Sequence, residues 1–233
     1  MEKSFDTKAE VCGIVILDKG EGLTSQTAVN RVKRLFSAKK AGHTGTLDPM
    51  ATGVLPVLVG RAVKASEYMI SSKKHYRATL LLGITTDTED STGKALTTCE
   101  EIPNEEKVLS ACAAMVGESM QTPPMYSAIK VDGVTLMERA RRGEVIERES
   151  RPICVYSLKA KKLSAREYEL DVECSKGTYI RTLCADIGKS LGCGGVMSAL
   201  RRCESAGFSL DCAHTLEEFE SMTELHETIL LFP

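Results

Sequence analysis

The sequence lacks the features that mark metal, redox and membrane-spanning proteins. Its nine cysteines include no pair closer than nine positions, so no C-x-x-C motif is present. The four histidines are scattered and form no cluster of metal ligands. No apolar run approaches the roughly 18 residues needed to span a bilayer, and residues 1–10 contain no apolar stretch typical of a signal peptide. We therefore expect a cytoplasmic protein with reduced thiols and no metal ion.

Repeats, low-complexity tracts and linkers are also missing from the 233 residues, of which 42% are hydrophobic. A chain of this size can bury a sizeable core, and the sequence predicts a single domain over residues 1–233. One glycine pattern, Gly20-x-Gly22-x-x-Ser25, superficially resembles a dinucleotide-binding fingerprint. That site requires an acidic residue about 20 positions further on. Lysines, glycine and histidine stand there instead, at residues 39–43, so we set this interpretation aside.

Charge is distributed unevenly, although the net value is only −2. Between Arg31 and Arg77, ten lysines and arginines accompany two acids, which gives this segment +8 and leaves −10 elsewhere. A basic segment of this kind indicates a polyanionic partner such as a nucleic acid. A solvated helix face is the alternative interpretation.

Periodic patterns predict a mixed α/β (α+β) fold with more hairpin-like than βαβ connections. Apolar runs predict strands at residues 12–17 and 54–59. Alternating apolar and acidic residues from Glu167 to Cys174 predict an antiparallel strand with one face in solvent.

Polar residues in front of three apolar-periodic segments predict helix N-caps. Ser25 and Asn104 are expected to cap the first two helices, and Gly117 to end the second. Thr178 is expected to cap the third, which places Arg181 in its first turn. A cation there opposes the helix dipole, so a nearby carboxylate or phosphate is expected to compensate it.

The most distinctive segment runs from Ala41 to Gly53 and reads AGHTGTLDPMATG, without helical or strand periodicity. It contains three glycines, His43 and Asp48. Asp48 precedes Pro49, which restricts its backbone to extended conformations. A stiff loop with one carboxylate suits nucleophilic or acid–base chemistry on a bound ring. An Asp-Pro turn or a helix cap would give the same pattern.

Residues 42–55 resemble G-H-T-G-x-L-D-P-x-A-T-G-x-L, the signature of the TruB family of tRNA pseudouridine synthases. The resemblance continues at KKHYR (73–77), PMYSAIK (124–130) and CSKGTYIRT (174–182), and covers roughly residues 12–208. It implies the pseudouridine synthase fold, a largely antiparallel mixed sheet flanked by helices with a central catalytic cleft. Two departures exist: Gly20 stands where the family usually has proline, and the sequence predicts no PUA-like module after the catalytic domain.

The resemblance also implies roles for individual residues. Asp48 initiates catalysis, Arg181 pairs with it, and Tyr76 stacks on the target base. His43 occupies the space that the flipped uridine leaves. The remaining substrate-binding residues line the uridine pocket, as Tyr179 and Leu200 do, or are candidate phosphate contacts: Lys19, Lys64, Lys130, Lys176, Arg201 and Arg202.

The function that the resemblance implies is an isomerase that converts uridine 55 in the tRNA T-loop to pseudouridine, without a cofactor. The partner is then the T-stem-loop of tRNA, bound by a monomer with no obligatory protein partner and no membrane. A thumb-like arm at about residues 121–153 is expected to close over the RNA. A catalytically inactive tRNA-binding or tRNA-folding protein on the same fold, or a synthase acting on another RNA, are the alternatives.

Overall fold

The computed structural model describes residues 11–70 and 72–230, so the expectation for residues 1–10 lies outside the described part. The strands are β1 Gly13–Lys19, β2 Ala41–His43, β3 Thr52–Val59, β4 Lys74–Leu82, β5 Ile84–Thr86, β6 Ala95–Thr98, β7 Gly117–Gln121, β8 Lys130–Val131, β9 Val134–Thr135, β10 Arg151–Lys162, β11 Glu167–Cys174, β12 Gly195–Ser205 and β13 Phe208–Ser209. The α-helices are α1 Ser25–Leu35, α2 Ser66–Ile70, α3 Glu105–Ala113, α4 Leu136–Arg141, α5 Ile180–Ser190 and α6 Leu216–Ser221. Short 3₁₀ helices cover Gly60–Ala65, Leu210–Cys212 and Leu225–Thr228. None of the helices among these residues has the length and apolar character of a membrane span.

The chain forms two compact units. The first unit comprises the residues up to Lys74 and those from Arg201 onward, and the second comprises His75–Leu200. Strand β12 contributes its first part to the second unit and its last part to the first.

The first unit is built on β3, which is buried along almost its whole length. Strand β1 pairs with it antiparallel, and so does the short β2. The end of β12 runs parallel to the start of β3, with Arg201 opposite Thr52 and Arg202 opposite Gly53. Helix α1 buries Ala28, Val29 and Val32. Residues 44–51 form the loop that connects the paired strands β2 and β3.

The second unit is built on strands in the order β12-β4-β11-β10-β7. Strand β10 pairs antiparallel with both β11 and β7. The apolar residues of β11 are buried and its acidic residues are partly exposed, as the alternation predicted. Hairpins β5-β6 and β8-β9 lie outside this sheet, and β9 leads directly into α4. The predicted mixed α/β fold, with a largely antiparallel sheet flanked by helices, is confirmed.

Several predicted boundaries are wrong for reasons that the contacts explain. The N-cap of α1 is Thr24, whose hydroxyl accepts from Thr27 N, because the Ser25 hydroxyl is used in a contact with Leu47. The N-cap of α5 is Tyr179, without a side-chain bond, and not Thr178. Helix α3 is capped by Asn104 as predicted, but it ends at Ala113, and Gly117 opens β7 instead.

Within the segment from Ala41 to Gly53, both ends are strands, which the absence of periodicity did not predict. Residues 41–43 form β2, and β3 already begins at Thr52. Three residues are too few to show a period-two pattern, so the pairing of β2 with β3 was hidden in the sequence.

Candidate active site

Asp48 lies in the loop between β2 and β3 of the first unit and is partly exposed. The residue before it, Leu47, is buried and held by the Ser25 hydroxyl, which donates to Leu47 O (2.9 Å) and accepts from Leu47 N (2.8 Å). After it, Ala51 N donates to Asp48 O at 3.0 Å. The loop is therefore fixed on both sides of the carboxylate, which is the requirement for a positioned nucleophile or base.

Lys19 is fully buried, although the sequence suggested a phosphate contact. Its ammonium group donates to three carbonyl oxygens, those of Gly20 and Leu23 (both 2.9 Å) and Pro49 (3.3 Å). Burial lowers the Lys19 pKa to about 8, against the opposing effect of the Asp48 carboxylate. The phosphate-contact prediction is corrected here: the side chain holds the main chain directly after Asp48.

Arg202 is corrected in the same way, because it is 1% exposed. Its Nε donates to Val54 O at 2.7 Å, and its two Nη atoms donate to Gly45 O (3.1 Å) and Thr46 O (3.5 Å). The bonds to Gly45 and Thr46 hold the main chain before Asp48, as Lys19 holds the chain directly after it.

His43, at the end of β2, accepts a hydrogen bond from Gly45 N at its Nδ1, 3.3 Å away. Burial, and secondarily the nearby Arg202 cation, lower the His43 pKa below its ordinary value. The imidazole is therefore neutral at physiological pH, with Nδ1 as the acceptor.

Other predicted cations of the first unit lie at the surface. Lys64 is exposed on a 3₁₀ helix. Arg201 is partly exposed and pairs with Asp18 through an Nη2–Oδ2 contact of 2.7 Å. Further cations of the basic segment in this unit are also exposed, namely Arg34, Lys39, Lys40, Arg61 and Lys73. Lys64 and Arg201 stay candidates for phosphate contact.

Arg181 lies in the second unit, in the first turn of α5 as predicted, and is 4% exposed. Its Nη1 donates to Thr88 O at 2.9 Å and its Nη2 to Tyr126 O at 2.8 Å. The Asp90 carboxylate lies 3.9 Å from Nη1. The fork of the guanidinium group is thus oriented by two carbonyl groups from different segments.

Two supporting residues were missed in the sequence. Asp90 is buried, and its Oδ1 accepts from the hydroxyls of Thr88 and Thr92 and from Thr92 N. Gln121 is also buried and bonds both main-chain groups of Tyr179, which caps α5. The many threonines and aspartates among residues 86–92 could have indicated Asp90. Nothing in the sequence indicated Gln121.

The other predicted residues of the second unit divide by exposure. Tyr76 on β4 and Leu200 on β12 are buried, with exposed fractions of 7% and 9%. Lys130 and Lys176 are exposed. The second unit thus contains Tyr76, Tyr179 and Arg181, and the first contains His43 and Asp48. No group of three or more potential metal-binding side chains occurs among residues 11–70 and 72–230.

Comparison with known proteins decides the family. The model of the TruB family pseudouridylate synthase N-terminal domain matches residues 33–180, and the tRNA pseudouridylate synthase B C-terminal domain matches residues 181–230. The chain belongs to the TruB family. A tRNA pseudouridine synthase B from Neisseria meningitidis serogroup B is 46% identical over 97% of this chain and 74% of its own length. The one from Alkaliphilus oremlandii is 47% identical over 94% and 73%.

Solved structures agree with the TruB assignment. A chain in a crystal structure of a Cbf5-Nop10-Gar1 complex superposes with a TM-score of 0.72 at 29% identity, covering 94% of this chain. A chain of an H/ACA RNP bound to a substrate RNA containing 2′-deoxyuridine gives 0.68 at 26% identity. This chain spans 59% and 58% of those two chains. The predicted pseudouridine synthase fold and enzyme class, an isomerase, are confirmed.

Glu89 is a further unusual carboxyl group in this TruB protein. It has a left-handed backbone with φ of 62°, and its Oε2 accepts from the Thr182 hydroxyl at 2.5 Å. Burial raises its pKa, against the opposing effects of Thr182 and Arg181. A raised pKa means that the folded protein binds this proton more readily than the unfolded chain. Stability is therefore lost as the pH rises through the folded-state pKa.

We expect Glu89→Gln to raise the unfolding midpoint at pH 8 by at least about 2 °C. The gain should shrink as the pH falls toward 4, where wild-type Glu89 is itself protonated. Thermal melts at several pH values measure it, with the exposed Glu100→Gln as the matched control. A gain that grows toward acid pH would contradict the assignment.

Proposed function

We propose that this protein converts uridine 55 in the T-loop of tRNA to pseudouridine, using Asp48 to start the reaction. The N1–C1′ bond of the uridine breaks, the base rotates, and a C5–C1′ bond forms. The C5 proton passes to solvent, and N1 takes up a proton in exchange, so that the product is an isomer of the substrate. The observation that carries the proposal is the loop around Asp48, which lies within the basic segment from Arg31 to Arg77. Its main chain is held by three buried side chains: Lys19, Ser25 and Arg202.

The other residues are proposed to bind and orient the substrate. Arg181 holds the Asp48 carboxylate in its charged form. Tyr76 stacks on the base, and such stacking contributes about 1–3 kcal/mol. Neutral His43 fills the space of the flipped nucleotide. Tyr179 and Leu200 line the uridine pocket, and the exposed cations contact phosphates: Lys64, Lys130, Lys176 and Arg201.

Residues 121–153 are proposed to form an RNA-binding arm. They contain the β8-β9 hairpin and α4, whose capping box joins Thr135 and Glu138. Arg139 bonds Val131 O and pairs with Glu144, and Arg148 bonds Pro123 O. These polar contacts join segments of the arm, whose helix α4 also buries Leu136. Many of its other side chains are exposed, as in elements that adjust on binding.

Release of tritium from tRNA containing [5-³H]uridine tests the proposal, because only reaction at C5 frees this label. The purified protein alone should release one tritium per tRNA, which also tests action without a protein partner. A matched transcript with cytidine at position 55 should release none. Equal release from both transcripts would contradict the assigned uridine, and none from either would favour an inactive tRNA-binding protein.

Binding of tRNA is expected to be strongly salt-dependent because the segment from Arg31 to Arg77 carries +8. We expect affinity to fall at least about tenfold between 50 and 200 mM salt as counterion release becomes less favourable. Lys39→Gln with Lys40→Gln should reduce the slope, since both residues are exposed. The same change at the exposed Lys159 and Lys161 of β10 is the control. Equal affinities at both salt concentrations would rule out this segment as the RNA face.

A further inference from the structure

Arg202 presents a buried charge that the proposed chemistry does not explain. It heads the fully buried side chains of the described residues by volume, and its guanidinium group donates to main-chain carbonyls of Val54, Gly45 and Thr46. Burying a cation is costly unless its donors are satisfied. The buried guanidinium group therefore acts on the main-chain segments whose carbonyls it bonds.

Those segments are the entry of the Asp48 loop, residues 44–51, and the strand that follows it. Gly45 and Thr46 precede Asp48 by three and two positions, and Val54 lies on β3 where the chain has returned to the sheet. One rigid planar group thus joins both ends of the loop. Lysine would keep the charge but lacks the planar fork that holds several donors in a fixed geometry.

The main chain of Arg202 is itself fixed against the loop. Arg202 lies opposite Gly53 in the parallel pairing of β12 and β3. Gly53 has φ of 105°, and a Cβ there would lie 2.2 Å from Arg202 O. The missing side chain lets the two strands approach so closely. The guanidinium group therefore starts from a rigid base, on strands and not on loops.

Lys19, Ser25 and Arg202 each hold a different part of the Asp48 loop. Lys19 holds Pro49 O, and Ser25 holds both main-chain groups of Leu47. Arg202 holds Gly45 and Thr46, so successive parts of the loop have separate anchors. Without the arginine, the entry of the loop would lose two carbonyl contacts while Leu47 and Pro49 kept theirs.

We infer that Arg202 is a positioning residue of the reaction: by holding the Gly45 and Thr46 carbonyls it sets the direction in which the Asp48 side chain leaves the loop. The inference rests on the proposed function of Asp48. It makes Arg202 act through the loop and not through contact with tRNA phosphate, which its burial disfavours. A positioning role predicts a loss of turnover with unchanged affinity for tRNA, whereas a phosphate contact predicts weaker binding with unchanged turnover. One set of measurements therefore separates the two roles.

The test uses Arg202→Lys and Arg202→Gln in the full chain. Arg166→Lys is the control, because Arg166 also donates to a carbonyl, that of Cys99, but in the second unit. A displacement of about 1 Å can reduce turnover about 100-fold. We expect tritium release at saturating tRNA to fall about 100-fold. The affinity for tRNA should change by less than about threefold, and its dependence on salt should stay the same. Hydrogen exchange measured by mass spectrometry should rise in residues 44–51 of both variants and stay unchanged in the control.

Several results would overturn the inference. Unchanged turnover with weakened, less salt-dependent tRNA binding would make Arg202 a phosphate contact. Failure of both variants to fold, judged by circular dichroism, would assign it to stability alone. Unaltered exchange in residues 44–51 would contradict it even if turnover fell. An inactive wild type would instead count against the proposed function, and the exchange measurement would still decide whether Arg202 holds the loop.

Discussion

Asp48→Asn is expected to lower pseudouridine formation by at least about 1,000-fold, which corresponds to about 4 kcal/mol in the activation free energy. Asparagine has nearly the same shape but cannot act as an anionic nucleophile or base. The loop should keep its conformation, because Lys19, Ser25 and Arg202 bond its main chain. Binding of tRNA should therefore change by less than about threefold. Tritium release and a filter-binding titration measure the two quantities.

The matched control is Asp211→Asn, an exposed aspartate of the same unit, which should retain wild-type turnover. Residual activity of Asp48→Asn within tenfold of wild type would remove Asp48 from the reaction. Loss of tRNA binding together with turnover would indicate a damaged loop instead of a missing functional group.

Arg181→Lys is expected to reduce turnover at saturating tRNA about 100-fold, although the charge is kept. The two Nη atoms of Arg181 donate to Thr88 O and Tyr126 O, and lysine lacks the planar fork that makes both bonds. The expected loss of turnover rests on the proposed role of Arg181 toward Asp48. Because Arg181 is buried, a lost partner also leaves a carbonyl unsatisfied, at about 1–3 kcal/mol of folding stability.

Kinetics and thermal melts must be measured on the same preparations of this variant. Arg166→Lys again serves as the control, since it tests the loss of a carbonyl contact away from the site. Near-full turnover in Arg181→Lys would show that its fork geometry is incidental to catalysis. A stability loss alone, with normal turnover of the folded fraction, would show the same.

The sequence pattern alone predicts those helices and strands that are determined by residues close together in the chain. The alternation from Glu167 to Cys174 and the apolar spacing after Ile180 gave β11 and α5 closely. Thr24 and Ser25 are both good N-caps by type, so only the contact of Ser25 with Leu47, 22 positions away, decides between them. Local sequence does not contain that contact.

Burial of charge explains the errors at the site. Lysine and arginine are almost never fully buried, so their type suggested surface phosphate contacts for Lys19 and Arg202. What overrides this tendency is a set of main-chain carbonyls from distant positions, as many as 157 residues away in the case of Gly45 and Arg202. Gln121 escaped notice for a similar reason, since its partner Tyr179 lies 58 residues further along the chain.

The parallel pairing of β12 with β3 has a consequence for the order in which the enzyme matures during its synthesis. Lys19, Ser25 and their carbonyl partners all lie between residues 19 and 49. At about 5–20 residues per second, roughly 8–30 s separate the addition of Gly45 from that of Arg202. The Asp48 loop therefore leaves the ribosome with the contacts of Leu47 and Pro49 available and those of Gly45 and Thr46 still missing. The contacts at Gly45 and Thr46 form only after β12 has been made, so a nascent chain carries an incompletely anchored Asp48 loop until then.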